Sequence, residues 1–203
     1  MSVAYAAVVL AGGGSRRMGT DKLAERVGGV PLLERVLSAC TQASSVVVVG
    51  APRTLVCASR QVVWAREEPP GGGPVPALAA GLCAVPPGFA YAVVLAGDLP
   101  FVTPDDMALL LSALEAAPAA AGAVALDAEG REQGLLSAWR VAELRARLSE
   151  AAVPDGLAGL PLHRTLAPLR RVRVHLPNRD DPGWVDLDTP EELAAARERG
   201  GGR

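Results

Sequence analysis

Short, uninterrupted hydrophobic runs alternate with stretches of helical periodicity along the first half of the chain. Residues 6–10 form a continuous run of β-prone apolar residues, which is typical of a strand buried on both faces. Apolar residues recur at helical spacing over 31–43, where Pro31 suits the first turn. The same criteria predict strands at 46–49, 61–64 and 92–95, and helices at 75–85 and 103–114. This alternation predicts a Rossmann-like α/β fold, a mostly parallel twisted sheet with helices on both faces.

The second half of the chain predicts shorter elements. They are strands at 121–126, 135–139, 171–176 and 184–187, and helices at 141–150, 162–169 and 190–199. The last helix is preceded by Thr189, with Glu192 three residues later, which is a capping box. Because no linker is long enough to separate two units, we expect a single domain over 1–199 and a disordered tail at 200–203.

Composition and charge exclude several classes of partner. Half of the residues are hydrophobic, and 20 Lys and Arg against 22 Asp and Glu give a formal net charge of −2, which argues against a nucleic-acid binder. The sequence shows neither a signal-peptide pattern nor an uncharged apolar stretch of about 18 residues, so we expect no membrane partner. The 3 cysteines show no paired spacing, which favours a reducing, cytoplasmic location.

The segment 10–22, which reads LAGGGSRRMGTDK, directly follows the first predicted strand. A parallel sheet presents its ligand crevice at that place. The glycines at 12–14 let backbone amides approach a phosphate closely, and Arg16, Arg17 and Lys22 add positive charge. The segment matches neither a dinucleotide GxGxxG motif, because Arg17 replaces the last glycine, nor a Walker A motif, because Thr20 replaces the lysine. It predicts a polyphosphate-binding loop of another type.

The same segment resembles the LAGGxSxRMGxDK signature of molybdenum cofactor guanylyltransferases and their nucleotidyltransferase relatives, and it matches every defined position. The resemblance implies a nucleotide-diphospho-sugar transferase-like fold and transfer of GMP from GTP to Mo-molybdopterin, which yields molybdopterin guanine dinucleotide and pyrophosphate. It implies that Arg17 and Lys22 hold the phosphates and act in catalysis. The expected nucleotide-binding residues of the loop are Leu10, Ala11, Gly12, Gly13, Gly14, Ser15 and Lys22. Transient contact with molybdoenzyme-maturation proteins is a further expectation.

Acidic residues supply the expected metal site. Asp98 follows the predicted strand 92–95, and Gly97–Pro100 is similar to the family's metal-binding GDxP segment, so the resemblance implies that Asp98 binds Mg²⁺ and the nucleotide and acts in catalysis. Asp186 and Asp188 stand where relatives usually carry two asparagines. We assign Asp188 to the metal and Asp186 to the acceptor, although which of the two approaches the metal stays open at this point.

Weaker matches extend the resemblance to the base and the acceptor. Either Glu67 or Glu68, together with Gly73, matches the acidic residue and glycine-proline loop that contact guanine in the family. Gln133 begins a segment similar to the family's acceptor-side strand, in which Gly134 replaces a proline. The basic residues at 164, 170, 171 and 173 fit a solvated helix face better than an acceptor site, and both histidines fit structural roles.

Alternatives remain for the substrates and for the class of function. In the superfamily that the segment resembles, guanylyltransferases tend to read LAGG and cytidylyltransferases of the same pathway LAAG, and Gly12 stands at the position that differs. Because a Cβ there would crowd the base and glycine leaves room for a purine, the resemblance favours GTP over CTP. Cytidylyl transfer to molybdopterin, or transfer to a sugar phosphate or phospholactate, is the runner-up. A non-catalytic nucleotide-binding adaptor is the alternative from a different class.

Overall fold

Seven strands form one sheet in the order β5-β4-β1-β6-β8-β7-β9, as seen in a computed structural model that describes residues 3–12, 21–55, 61–177, 182–185, 187 and 190–200. The strands are β1 (Tyr5–Leu10), β2 (Arg26–Val27), β3 (Val30–Pro31), β4 (Ser45–Val49), β5 (Val63–Ala65), β6 (Tyr91–Ala96), β7 (Gly122–Leu126), β8 (Glu132–Arg140) and β9 (Arg171–His175). The helices are α1 (Leu32–Ala39), α2 (Pro74–Ala84), α3 (Pro104–Glu115), α4 (Val141–Ala151), α5 (Leu162–Leu166) and α6 (Pro190–Gly200).

The central strand β1 shows why the sheet is layered. Its neighbours β4 and β6 both run parallel to it, and all six of its residues are buried. Ala7 and Val9 pack on one face with α1 and α3, whereas Val8 and Leu10 pack on the other with α2, α4 and α5. Alternate side chains of a strand point to opposite faces, so a continuous apolar run is buried only when both faces are covered. The predicted fold class is confirmed.

The far half of the sheet breaks the parallel order. Strand β8 runs antiparallel to both β6 and β7, and β9 then runs parallel to β7. The register of β7 and β8 shifts between Val124, which pairs with Ser137, and Ala125, which pairs with Gln133. The irregularity leaves residues 134–136 without partners on β7, while pairing resumes at Gln133.

The predicted strand at 184–187 is wrong for its described residues. Gly183 and Trp184 lie in a turn, in which the Val185 amide donates to the Pro182 carbonyl at 3.2 Å. Leu187 is buried against Val27, Phe101 and helix α6. Leu187 and Val185 pack in a small separate cluster, while Trp184 packs against the main core, and none of them has a strand partner.

Other boundaries also differ from the prediction. Helix α5 ends at Leu166 rather than at 169, because Pro168 has no amide hydrogen with which to extend it. Helix α6 includes Gly200, which we expected in the disordered tail; 201–203 lie outside the described residues. The β2–β3 hairpin was not predicted, although Gly28 and Gly29, with φ of 59° and 79°, are a recognised two-residue turn signal.

Candidate active site

A cavity of about 740 Å³ opens beyond the carboxyl ends of β1 and β6 and continues across β8. Its lining residues are Leu10, Gly12, Glu67, Gly71, Gly73, Pro74, Ala77, Ala96, Asp98, Leu99, Val124, Glu132, Gln133, Gly134, Leu135, Leu136, Trp139, Leu162, His163, Leu166 and Arg171. Ligands of parallel α/β sheets bind at this edge, so the cavity is the candidate active site.

An ion pair lies beside the middle of the cavity. The Lys22 Nζ donates a hydrogen bond of 2.6 Å to the Asp98 Oδ2, and the two side chains are 12% and 23% exposed. Neighbouring strands bring them together, since the Gly97 amide donates to the Leu10 carbonyl at 2.9 Å. Restricted solvent access strengthens the attraction between these charges over that of a fully exposed pair.

At one end of the cavity, Gly12 faces the carboxylate of Glu67. A Cβ added to Gly12 would lie 3.5 Å and 3.7 Å from the two carboxylate oxygens. The Glu67 Oε1 accepts a hydrogen bond of 3.1 Å from the Gly71 amide, and the side chain is 8% exposed. Glu68 is exposed and does not line the cavity. The structure therefore places Glu67, of the two candidate glutamates, in the site.

The other predicted residues divide into two groups. Leu10, Gly73 and Gln133 line the cavity, while Ala11 is buried next to it and donates its amide to the Val49 carbonyl at 2.8 Å. The predicted site residues that lie outside the described ranges are Gly13, Gly14, Ser15, Arg17, Asp186 and Asp188. Within the described ranges, no group of three or more His, Cys, Asp and Glu side chains is arranged to hold a metal ion.

The far end of the cavity was not predicted. Glu132, His163 and Arg171 line it. Arg171 lies on β9, close to the strand predicted at 171–176, and its side chain is partly buried rather than on a solvated helix face. The Glu132 carboxylate accepts hydrogen bonds of 2.8 Å from the Nε atoms of both Arg171 and Arg173. Partial burial acts to raise the pKa of Glu132. The two guanidinium groups lower it by a larger amount, so the pKa of Glu132 lies below its ordinary value. Glu132, His163 and Arg171 come from three different elements, and no local sequence motif predicts that they line one cavity.

The segment that follows β4 contacts residues at both ends of the stretch 12–21. The Arg53 Nη1 donates to both carboxylate oxygens of Asp21, at 2.8 Å and 2.7 Å. Gly50, with φ of +156°, lies against the backbone of Ala11 and Gly12, so closely that an added Cβ would lie 2.7 Å from the Ala11 carbonyl oxygen. The sequence analysis did not identify Arg53, because its partner is 32 residues away.

We expect Gly50→Ala to lower the free energy of unfolding by about 1–3 kcal/mol, since the backbone of Ala11 and Gly12 must move to accept the methyl group. Urea unfolding measures this change. Gly88→Ala is the matched control, because Gly88 also has a positive φ, 98°, but its Cβ would meet no atom within 4 Å. Equal losses in the two variants would contradict the close approach as the cause.

The fold and the position of the cavity are those of α/β proteins that bind their ligands beyond the carboxyl ends of parallel strands. A family model described as a MobA-like NTP transferase domain matches residues 7–167. A molybdenum cofactor guanylyltransferase from Rhodobacter capsulatus is 34% identical over 198 residues, which span 96% of this chain and 95% of that protein. The chain belongs to the MobA-like NTP transferase family and is a nucleotidyltransferase.

Solved structures share the fold. The molybdopterin-guanine dinucleotide biosynthesis protein A of Archaeoglobus fulgidus superposes with a TM-score of 0.71 at 21% identity, over 96% of this chain and 97% of that one. The 2-C-methyl-D-erythritol 4-phosphate cytidylyltransferase of Thermus thermophilus superposes with a TM-score of 0.67 at 20% identity, over 95% and 96% of the two chains. The same architecture therefore occurs in proteins named for different nucleotides. In the described part of the chain, we find no helix with the length and apolar character needed to span a bilayer.

Proposed function

We propose that this enzyme transfers GMP from GTP to Mo-molybdopterin, which forms molybdopterin guanine dinucleotide and releases pyrophosphate. The observation that carries the proposal is the Lys22–Asp98 pair, which lies between the Gly12–Glu67 end of the cavity and the Gln133 end. A nucleotide and an acceptor bound at opposite ends would meet at these two charges. The relationship to a guanylyltransferase along nearly the whole chain supports the same substrates.

The Glu67 end is the proposed guanine site. Guanine presents two adjacent N–H donors, and the buried Glu67 carboxylate is an acceptor that can receive them. Gly12 leaves the space that a purine needs beside that carboxylate. The backbone at 10–15 and the side chain of Arg17 would hold the triphosphate, with Gly73 at the edge of the same site.

The proposed reaction is an in-line displacement. A terminal phosphate oxygen of the acceptor attacks the α-phosphorus of GTP, the bond to the β-phosphate oxygen breaks, and pyrophosphate leaves. Lys22 and Arg17 neutralise the negative charge that accumulates on the transferred phosphate and on pyrophosphate. Asp98, which lines the cavity, orients the Lys22 ammonium, because it accepts a hydrogen bond from it.

Nucleotidyl transfer of this kind typically requires a divalent metal ion, and we propose Mg²⁺. The Asp98 carboxylate fits that ion, because Mg²⁺ is usually held by one or two carboxylates together with substrate phosphates and water. Asp188 is the proposed second ligand, and Asp186 is the proposed acceptor contact. When bound, the ion would supply a Lewis acid that polarises the phosphate oxygens.

Nucleotide specificity is tested by thermal unfolding with each of the four nucleoside triphosphates and Mg²⁺. GTP at a hundredfold excess over its Kd is expected to stabilise the protein by about 2.7 kcal/mol, and CTP by much less. Gly12→Ala should reduce the preference for GTP, because its methyl group narrows the gap to Glu67. Stabilisation by CTP alone would contradict guanylyl transfer and would support cytidylyl transfer. GTP binding without pyrophosphate release in the presence of molybdopterin would favour the non-catalytic adaptor.

Three expectations from the sequence accompany this proposal. They are a single domain over 1–199, a cytoplasmic location, and transient contact with molybdoenzyme-maturation proteins that would receive the product.

A further inference from the structure

Asp127, at the end of β7, is surrounded by hydrogen-bond donors. Its Oδ1 accepts from the backbone amides of Glu129 at 3.0 Å and Arg131 at 2.8 Å. Its Oδ2 accepts from the Arg131 Nε at 2.7 Å and from the Gln133 Nε2 at 3.0 Å. Burial of the carboxyl acts to raise the pKa of Asp127, but hydrogen bonds and the charge of Arg131 outweigh it and hold the pKa below its usual value. Asp127 is therefore an ionised group that only accepts hydrogen bonds.

That chemistry determines the orientation of the Gln133 side chain. A carboxylate can accept only from the amide nitrogen, so the Gln133 Nε2 must be the atom that faces Asp127. The Gln133 Oε1 is then the end that remains for other contacts. Among the described residues no donor reaches this oxygen, and Gln133 lines the cavity.

Neighbouring polar groups on β8 already have partners. The Glu132 carboxylate is held by Arg171 and Arg173. The Ser137 hydroxyl donates to the Gly134 carbonyl at 2.7 Å and accepts from the Trp139 indole at 2.8 Å. On this strand, the Gln133 Oε1 is thus the side-chain acceptor best placed to receive a hydrogen bond from a ligand.

We propose that Asp127 is a positioning residue that holds the Gln133 amide with its carbonyl oxygen available to the acceptor, so that the enzyme selects acceptors presenting an N–H donor from a flat heterocycle. This inference rests on the proposed function, in which the acceptor carries a pterin. Leu135 and Leu162, which are partly exposed and line the cavity, supply the apolar surface that a heterocycle of this kind requires.

Asp127→Asn tests the orientation with little change to the turn. The carbonyl oxygen of the introduced asparagine can still accept from the two backbone amides, but its amide nitrogen now replaces Oδ2. The Gln133 amide must then rotate to accept from that nitrogen, and it presents N–H groups to the cavity. The double variant Asp127→Asn with Gln133→Glu again presents an acceptor to the cavity. One oxygen of the introduced carboxylate accepts from the asparagine, and the other is free to accept from the ligand.

Arg131→Ala is the matched control. Arg131 is 73% exposed and does not line the cavity, and its removal takes the cation from Asp127 while the Asp127–Gln133 hydrogen bond remains. A purely structural role for Asp127 predicts similar behaviour of Arg131→Ala and Asp127→Asn. A positioning role predicts that only Asp127→Asn weakens binding of the acceptor.

The four proteins are compared by pyrophosphate release with saturating GTP and varied molybdopterin, and by fluorescence titration with free pterin. Asp127→Asn is expected to raise the acceptor KM and the pterin Kd about tenfold, the effect of leaving one ligand donor unpaired, with kcat and the GTP KM unchanged. The double variant should return both values to within about threefold of wild type, and Arg131→Ala should match wild type.

Equal effects of Asp127→Asn and Arg131→Ala, or a double variant no better than Asp127→Asn, would overturn the inference. A wild-type protein that does not bind pterin would overturn it as well. Failure of the proposed function looks different, since wild type would then release no pyrophosphate from GTP and molybdopterin. In that case pterin titration still decides whether Asp127 controls what Gln133 binds.

Discussion

Replacement of Asp98 with alanine is expected to lower turnover about 10²–10³-fold, the typical effect of removing one charge-stabilising group from an active site. The variant loses the proposed metal ligand and the 2.6 Å ion pair with the Lys22 ammonium, which is 12% exposed. Pyrophosphate release with saturating GTP, Mg²⁺ and Mo-molybdopterin measures the loss. Asp105→Ala is the matched control, because Asp105 is an exposed carboxylate in the first turn of α3.

Lys22→Ala should cause a loss of similar size, and the double variant should be little slower than either single variant. Groups that act as one unit show this non-additivity, whereas independent contributions would multiply. Urea unfolding of each variant separates a catalytic effect from a folding effect. Turnover of Asp98→Ala within a few-fold of wild type would contradict the proposed catalytic site.

Trp139→Ala is expected to lower the free energy of unfolding by about 3–5 kcal/mol. The ring is fully buried and packs over Gly122, where an added Cβ would overlap it. Its Nε1 donates to the Ser137 Oγ at 2.8 Å, so the substitution also removes the donor of a buried hydrogen bond. Thermal unfolding should show a decrease of roughly 2–4 °C for each kcal/mol lost.

Two controls separate the contributions of Trp139. Trp139→Phe keeps an aromatic ring and should lose less than the alanine variant. Trp184→Ala removes a half-buried tryptophan outside the sheet and should also have a smaller effect. A loss in Trp139→Ala no greater than that in Trp184→Ala would show that the ring is not central to the core.

Local patterns predicted the elements well because the forces behind them are local. The apolar run at 6–10 became the buried strand β1. The predicted start of α3 is confirmed, since Thr103 and Asp106 form a capping box in which each side chain bonds the other's backbone amide. The run at 184–187 shows the limit of this reasoning. Apolar side chains can be buried in a cluster of loop and helix residues as well as in a β-sheet, and only the surrounding elements decide which of the two arrangements forms.

The predicted phosphate loop, Lys22 and Asp98 could be recognised from the sequence, because each lies in a short contiguous motif after a predicted strand. The contact between Lys22 and Asp98 required the parallel pairing of β1 with β6. The choice between Glu67 and Glu68 required the fold too, since adjacent residues differ in burial only through what packs against them.

By itself, the sequence determined the α/β class, most element positions and the motifs for which we propose phosphate and metal binding, because these depend on neighbours close in the chain. Tertiary structure alone decided the far wall of the cavity. Glu132, His163 and Arg171 come from β8, α5 and β9, and they become neighbours only after β8 has inserted antiparallel between β6 and β7. The tertiary structure also decided the orientation of the Gln133 amide, because that orientation depends on the Asp127 carboxylate, which the turn between β7 and β8 brings close to it.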